Sequence, residues 1–242
     1  MEGSRWRRPG RPLVVAHRGA NAYAPENTLA AFHLAAEQGA DAIECDVRAT
    51  ADGHLVVIHD ASLDRTTDRR GRIDALTLDE VRRADAGGRR GQTFAGERVP
   101  TLEEVLALAR GRLLVDIELK VAGVEAQVVE QVARAEMTAD ALVTSFLEEP
   151  LTRVKSAGSG PAVGLLQQWA EPERAVALGV DVYLVHVRAL SAQVVRTVRA
   201  QGLGIIPWTV RSEDDARAAL ELGVDGLIAD DPVMARRMVA QH

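Results

Sequence analysis

Cysteine is nearly absent from this chain of 242 residues, which contains Cys45 and no other thiol. One cysteine cannot form a disulfide within the chain, so the sequence carries no signature of an oxidising compartment. The spacing of thiolates and histidines that binds zinc is also missing. We therefore expect a cytoplasmic protein whose fold depends on a hydrophobic core.

A surplus of positive charge is lacking as well, because the formal net charge is −6. This balance argues against nucleic acid as a partner, and it means that any phosphate must be met by local positive charges. The apolar run 13–16 is far too short for a membrane span or a signal-peptide core, so we expect no stable membrane insertion. The arginine-rich segment 1–11 is interpreted as a frayed, solvated tail.

Hydrophobic residues make up 47% of the chain and charged residues 26%, which allows a sizeable core. Eight apolar, β-branched runs alternate with eight segments of helical periodicity. The predicted strands span residues 13–16, 42–47, 113–119, 141–146, 162–166, 182–187, 204–210 and 226–229. The predicted helices span 27–38, 102–109, 125–136, 150–156, 173–178, 191–200, 213–222 and 233–240. This pattern predicts a single domain, residues 1–242, folded as a (β/α)8 TIM barrel of the α/β class.

One segment interrupts the alternation after the second strand. The dipeptide Asp52-Gly53 indicates a two-residue hairpin turn, so 54–59 is predicted to fold back on 42–47. Residues 60–100 then form a small insertion between the second strand and its helix, at the mouth of the barrel. The insertion is predicted to have its own small core, built from Leu63, Leu76, Leu78 and Phe94.

Carboxylates occupy alternate positions of two predicted strands. Glu44 and Asp46 share one face of the second strand, and Asp116, Glu118 and Lys120 share one face of the third. Buried carboxylates require a partner, and hard oxygen ligands suit Mg²⁺ or Ca²⁺. The pattern predicts that Glu44, Asp46 and Glu118 bind a divalent cation, whereas the simpler interpretation is a set of salt bridges around Lys120.

Two histidines lie at strand ends near these carboxylates. His17 ends the first strand, and His59 ends the hairpin strand opposite the acidic positions. A metal-assisted cleavage of a phosphodiester needs a base for the nucleophile and an acid for the leaving oxygen, so these two histidines are the candidate catalytic residues.

Three further side chains are candidates for binding the substrate. Arg18 and Lys120 would supply positive charge to the phosphate oxygens, although each could equally pair with a nearby carboxylate. Trp208, in the seventh strand, is expected to form a wall of the pocket, and a plain core position is its alternative interpretation.

An ordered set of short motifs, spread over 13–232, resembles that of the glycerophosphodiester phosphodiesterases. They are His17-Arg18-Gly19, Pro25-Glu26-Asn27-Thr28, Glu44-Cys45-Asp46, Val57-Ile58-His59-Asp60, Leu63-Asp64-Arg65-Thr66-Thr67, Val99-Pro100-Thr101-Leu102-Glu103-Glu104, Ile117-Glu118-Leu119-Lys120, Trp208-Thr209-Val210 and Gly223-Val224-Asp225-Gly226. The resemblance implies the insertion after the second strand and metal-dependent hydrolysis of a small glycerophosphodiester to sn-glycerol 3-phosphate and an alcohol.

For the site, the resemblance implies that His17 and His59 are the acid-base pair and that Arg18 and Lys120 contact phosphate. It implies that the metal is held by Glu44, Asp46 and Glu118. The glycerol 2-hydroxyl is then expected to attack first, giving a cyclic phosphate that water opens.

Several positions depart from the family pattern or allow a second interpretation. Asp116 stands where the family often has asparagine, which would either tighten the shell around the metal or add charge to it. Arg211 stands where asparagine is frequent, which leaves the headgroup contacts open. Asn27 is explained as a helix cap, and Glu26 is left as a supporting residue of the site.

Two rival functions remain open. An enzyme acting on larger lipids, such as a lysophospholipase D, would need an apolar entry surface, and the insertion 60–100 is too polar to provide one. An inert barrel that binds phosphate esters would not need the two histidines and three carboxylates. The headgroup, the cation and the oligomeric state are left open by the sequence.

Overall fold

The computed structural model describes residues 5–6, 10–158 and 160–242, and within them nine strands form one sheet. They are β1 (Leu13–Ala16), β2 (Ala42–Ala49), β3 (Leu55–Val57), β4 (Leu114–Leu119), β5 (Ala141–Ser145), β6 (Ala162–Gln167), β7 (Val182–Val185), β8 (Gly204–Ile205) and β9 (Gly226–Ala229). Eight strands are parallel in the order β8-β7-β6-β5-β4-β2-β1-β9, and β3 pairs antiparallel with β2. A bridge between Val210 and Ala229 links the two ends of this order. The predicted TIM barrel is confirmed.

The helices alternate with the parallel strands, as the periodicity predicted, except for one short helix within the insertion. They are α1 (Leu29–Glu37), α2 (Leu78–Val81), α3 (Leu102–Ala109), α4 (Glu125–Arg134), α5 (Glu148–Ser156), α6 (Pro172–Leu178), α7 (Ala192–Ala200), α8 (Glu213–Glu221) and α9 (Pro232–Gln241). Thr101 and Glu104 form a reciprocal capping box at the start of α3. No helix in the described ranges is long and apolar enough to cross a membrane.

Two predicted strands are shorter in the structure by two residues or more. The run 204–210 forms a strand only over Gly204–Ile205, because Pro207 has no N–H to donate to a ladder. Trp208 and Val210 make isolated bridges beyond it. The run 182–187 ends at Val185, and the chain then turns through a short 3-10 helix at Val187–Ala189.

Apolar side chains from the strands form a buried cluster in the interior of the barrel, which we call the barrel core. Its buried members are Trp6, Leu13, Val15, Ala42, Leu114, Leu142, Leu166, Val182, Leu184, Ile206 and Ile228. The alternate residues of the same strands pack outward against the helices, as Ile43 and Val115 do. The carboxylates of β2 and β4 therefore continue the inward-facing rows that begin with Ala42 and Leu114.

The interpretation of 1–11 as a solvated tail is wrong at Trp6. Its side chain is 1% exposed because it joins the barrel core, and Arg5 beside it pairs with Asp140. Residues 1–4 and 7–9 of the predicted tail lie outside the described residues.

The insertion after β2 and β3 is confirmed, and it contains α2 and three short 3-10 helices, at Ile73–Ala75, Gly88–Arg90 and Gln92–Phe94. Its predicted core is present, with Leu63 buried and Leu76 and Leu78 packed against it. Phe94 lies outside this cluster, contrary to the prediction. The other buried members of the cluster are Val56, Ile58, Ile73, Val81, Ala84, Ala86 and Val99.

The hairpin that precedes the insertion has a three-residue loop rather than the predicted two-residue turn. Thr50 N–H donates to the carbonyl of His54 at 2.9 Å, which encloses residues 51–53. Gly53 adopts a φ of 82°, the left-handed conformation that closes such loops.

Candidate active site

The three carboxylates predicted to converge do so at the carboxyl-terminal end of β2 and β4. The parallel register places Glu44 beside Asp116 and Asp46 beside Glu118. One oxygen from each of Glu44, Asp46 and Glu118 lies within 4.8 Å of the other two, and all three residues are buried. The predicted convergence is confirmed.

Burial and mutual repulsion dominate the electrostatics of this cluster. Burial, followed by the charge of Asp46, raises the pKa of Glu44 well above its usual value. The same causes raise the pKa of Glu118 to about 7. Asp46 differs: burial alone would raise its pKa, but the charges of Arg18 and Lys120 outweigh burial and lower it.

The donor set fits a hard divalent cation. Within the described residues, Glu44 Oε1 is buried without a hydrogen-bond partner, and Asp46 Oδ1 is buried with no hydrogen bond and only the ammonium of Lys120 beside it, at 3.3 Å. Buried carboxylate oxygens in that state are costly, and a divalent cation satisfies them directly. Three carboxylates and no thiolate match the preference of Mg²⁺ or Ca²⁺.

Asp116 lies next to this group rather than in it. Thr144 donates a hydrogen bond to Asp116 Oδ1 at 2.7 Å. Burial raises the pKa of Asp116 to about 8, so in the metal-free protein its carboxyl is largely neutral at pH 7. The added charge expected at this position is therefore absent under those conditions.

His17 is oriented by a carboxylate that the sequence did not predict. Its Nδ1 lies 2.6 Å from Asp230 Oδ1, and its Nε2 lies 3.9 Å from Glu44 Oε2. Burial alone would raise the pKa of Asp230, but hydrogen bonds from His17 and Asn21 hold it below its usual value. Asp230 therefore stays ionised and fixes the tautomer that carries the proton on Nδ1.

His59 has an equivalent partner in the next residue. Its Nδ1 lies 2.7 Å from Asp60 Oδ1, and Arg65 donates to the same carboxylate. The hydrogen bond from Arg65 keeps the pKa of Asp60 low, and burial lowers the pKa of His59. Both histidines thus have an aspartate on one ring nitrogen, and both line one cavity together with Glu44 and Glu118.

Arg18 connects the backbone of the first loop to the acidic cluster. Its N–H donates to Glu44 Oε2 at 2.8 Å, and its Nε lies 3.1 Å from Asp46 Oδ2. Glu26, which the sequence left as a supporting residue, accepts from Arg18 Nη1 at 3.0 Å and pairs with Arg65. These contacts hold the guanidinium at the edge of the cavity.

Asn27 is not the helix cap that the sequence predicted. Thr28 is the capping residue of α1, since its hydroxyl accepts from Ala31 N–H. Asn27 instead donates its side-chain N–H to Asp46 Oδ2 at 2.7 Å, and the backbone N–H of Asp46 donates to the side-chain oxygen Oδ1 of Asn27 at 3.3 Å. Its φ of 56° turns the chain so that the amide reaches the carboxylate.

Lys120 closes the other side of the cluster. Its Nζ lies 2.6 Å from Glu118 Oε1 and 3.3 Å from Asp46 Oδ1. Burial opposes the charged form, but Glu118 and Asp46 outweigh it and raise the pKa of Lys120. The salt bridges of the simpler interpretation are therefore present.

The cavity that these residues share has a volume of about 230 Å³ and one apolar side. Trp208 lines it, with the Phe146 ring edge-on at 5.2 Å between centroids. Leu166 and Ile228 of the barrel core also line it. Trp208 is fixed by its indole N–H, which donates to the carbonyl of Leu184 at 3.2 Å. The site therefore combines a polar floor with a wall suited to a short carbon skeleton.

Comparisons with known proteins agree with this geometry. The model of the glycerophosphoryl diester phosphodiesterase family matches residues 17–234. A glycerophosphodiester phosphodiesterase of Caldanaerobacter subterraneus is 40% identical over 91% of this chain and 94% of its own length. Another, from Bacillus subtilis, is 33% identical over 93% of this chain and 85% of its own length.

Solved structures give the same result. A glycerophosphodiester phosphodiesterase of Agrobacterium tumefaciens superposes with a TM-score of 0.85 at 34% identity, covering 93% of this chain and 99% of that one. A phosphodiesterase of Oleispira antarctica, solved with the product sn-glycerol-3-phosphate, has a TM-score of 0.86 at 30% identity and covers 95% and 97%.

Proposed function

The chain belongs to the glycerophosphoryl diester phosphodiesterase family, and from this premise we propose that it hydrolyses glycerophosphodiesters to sn-glycerol 3-phosphate and an alcohol. The proposal adds that turnover depends on a divalent cation, Mg²⁺ or Ca²⁺. The observation that carries it is the convergence of three buried carboxylates beside two histidines that each face an aspartate.

Glu44, Asp46 and Glu118 would hold the cation. When bound, it polarises the phosphoryl group and offsets the repulsion between the carboxylates and an anionic diester. Asn27 keeps Asp46 in position through two hydrogen bonds. Such supporting contacts orient a ligand carboxylate and raise the affinity of the site for the cation.

His17 and His59 would move the two protons of the reaction. One Nε2 accepts the proton of the attacking hydroxyl, from water or from the glycerol itself, and the other donates a proton to the alcohol oxygen as its bond to phosphorus breaks. Asp230 and Asp60 stabilise each imidazole when it is positively charged. The net reaction consumes one water. If the glycerol hydroxyl attacks, opening of the cyclic phosphate by water reverses the two roles and restores both histidines, and if water attacks directly, proton exchange with solvent restores them.

Arg18 and Lys120 would bind the non-bridging phosphate oxygens. Both are already held by carboxylates, so they are positioned before the substrate arrives and need little reorganisation. Trp208 and Phe146 would pack against the carbon atoms of the glycerol.

A panel of glycerophosphodiesters tests the proposal, with released glycerol 3-phosphate as the readout. Turnover is expected with added Mg²⁺ or Ca²⁺ and no turnover is expected in EDTA, with recovery when the cation is restored. Full activity in EDTA, after elemental analysis has excluded retained metal, would refute the metal dependence.

A second candidate, hydrolysis of lysophospholipids, is favoured by one observation. Trp169 is 75% exposed in the loop after β6, and Phe146 and Leu147, in the loop after β5, are also exposed. Both loops lie at the mouth of the barrel, where an acyl chain would leave the site. Comparing glycerophosphocholine with lysophosphatidylcholine separates the two candidates.

A further inference from the structure

A second cavity adjoins the active site. It has a volume of about 380 Å³, compared with about 230 Å³ for the first, and the two share His17, Arg18 and Arg211. On its far side lies the 3-10 helix of the insertion, Gly88–Arg90. A diester bound at the carboxylates can therefore place one alcohol in each cavity.

The second cavity concentrates positive charge in a chain whose net charge is −6. Five arginines line it, against two carboxylates: Arg18, Arg65, Arg89, Arg90 and Arg211, against Glu26 and Asp230. Glu26 is shared by Arg18 and Arg65, and Arg211 Nε lies 2.9 Å from Asp230 Oδ2. Both carboxylates are therefore paired with Arg18, Arg65 and Arg211, and Arg89 and Arg90 have other partners.

Arg89 and Arg90 are held by neutral groups. Arg89 Nη1 donates to the carbonyl of Arg65 at 2.9 Å, and Arg90 Nη2 donates to the carbonyls of Asn21 and Ala22. In the described part of the chain, both guanidiniums take carbonyl oxygens rather than carboxylates as partners. A carbonyl restrains a guanidinium without neutralising it, so each keeps a full charge and free N–H donors.

The two cavities suit different halves of the substrate. The smaller one has the apolar wall of Trp208 and Phe146 and fits the glycerol that every such substrate contains. The larger one is more polar and has room for the variable alcohol. His17, which lines both, is then next to the oxygen of the leaving alcohol.

We propose that the second cavity is the leaving-alcohol subsite and that it selects alcohols carrying a phosphate group, which Arg89 and Arg90 bind. This inference rests on the proposed function. Guanidinium groups bind phosphate through paired, charge-assisted hydrogen bonds, so one phosphate on the alcohol can use donors of both arginines.

Glycerophosphoinositol and glycerophosphoinositol 4-phosphate, which differ by one phosphate, test the proposal. The wild type is expected to give a kcat/KM about tenfold or more higher for the phosphorylated substrate, as charged hydrogen bonds at a partly exposed site allow. The preference should shrink at high ionic strength. The double variant Arg89→Ser, Arg90→Ser should lose it, whereas Arg70→Ser, which removes an exposed arginine of the same insertion outside both cavities, should retain it.

The outcomes separate the two claims. Release of glycerol 3-phosphate from both substrates with equal kcat/KM overturns this inference and leaves the proposed function standing. No release from either, while glycerophosphocholine is hydrolysed with the cation present, overturns this inference alone, and no release from glycerophosphocholine as well overturns both. A preference that persists in the double variant also overturns the inference.

A binding measurement on the wild type covers the case in which the double variant does not fold. By calorimetry, inositol 4-phosphate is expected to bind at least about tenfold more tightly than inositol. Equal binding of the two would contradict the proposal.

Discussion

Strands β2 and β4 carry two different kinds of residue on the face that points into the barrel. At the lower end, Ala42 and Leu114 are neighbours in the register and belong to the barrel core. Two residues further along each strand, Glu44 lies beside Asp116, and then Asp46 beside Glu118. The same strands, with the same pleat and the same neighbours, thus change from apolar to acidic within one step of two residues.

The two regions make opposite contributions to the molecule. The barrel core removes apolar surface from water and so stabilises the fold. We use the name acidic layer for Glu44, Asp46, Asp116 and Glu118, whose burial raises the pKa of three of the four carboxyls. A raised pKa means that the ionised carboxylate is unfavourable in the folded state, so this layer reduces stability until a cation binds. Activity and stability should therefore respond in opposite ways to mutations in the two regions.

Glu44→Gln tests this comparison with the largest expected effect. With saturating Mg²⁺, kcat/KM on glycerophosphocholine should fall by about 10³-fold or more, because a metal ligand worth several kcal/mol is lost. In EDTA, the free energy of unfolding should be equal to or greater than that of the wild type. Steady-state kinetics and urea denaturation provide the two measurements.

The pH dependence of that variant follows from the sign of the shift. The folded-state pKa of Glu44 is raised, so its favourable contribution is complete below the unfolded value of 4.5 and is lost as pH rises through the folded pKa. The metal-free variant should therefore match the wild type near pH 5 and become relatively more stable at higher pH. A gap that narrows with rising pH would contradict the account.

His17→Ala and His59→Ala should each lower turnover by about 10² to 10⁴-fold, the usual worth of a positioned acid or base. Neither histidine belongs to the barrel core, so the unfolding temperature should change little. On a substrate with a p-nitrophenol leaving group, which needs little protonation, the variant without the acid should recover much of its rate. Near-normal turnover of both variants on glycerophosphocholine would rule out the two-histidine mechanism.

Leu114→Ala provides the matched change in the barrel core, two residues from Asp116 on the same strand. It should lower the free energy of unfolding by about 2 to 5 kcal/mol, because it leaves a cavity at a position that is 4% exposed. The kcat of the folded fraction should stay close to the wild-type value. A large loss of kcat without a loss of stability would contradict the view that the barrel core stabilises the fold while the acidic layer supports activity.

The sequence predicted what strand periodicity controls. The alternation in β2 and β4 placed the carboxylates on one face, and the barrel topology made those faces neighbours, so the convergence followed without any side-chain detail. Pro207 could also have predicted the short β8, since a missing N–H is visible in the sequence.

The sequence did not predict the side-chain contacts between residues that are far apart in the chain or held by unusual backbone conformations. Asp230 meets His17 because β9, far away in sequence, is the neighbour of β1 in the sheet, and Asn27 reaches Asp46 from a backbone conformation with positive φ. The signal for Asp230 was present, since it directly follows the last strand, at the end where such barrels place their functional residues. Trp6 lies between arginines in the sequence, and the charge of these neighbours indicated a solvated tail.

The central claim is that the acidic layer holds a divalent cation, and thermal unfolding with and without cation tests it most directly. The wild-type unfolding temperature should rise as Mg²⁺ or Ca²⁺ is added, because binding at a hundredfold excess over the Kd stabilises by about 2.7 kcal/mol. The double variant Glu44→Gln, Glu118→Gln should start at an equal or higher temperature in EDTA and show no rise. An unchanged wild-type temperature with both cations, or an equal rise in the double variant, would contradict the claim.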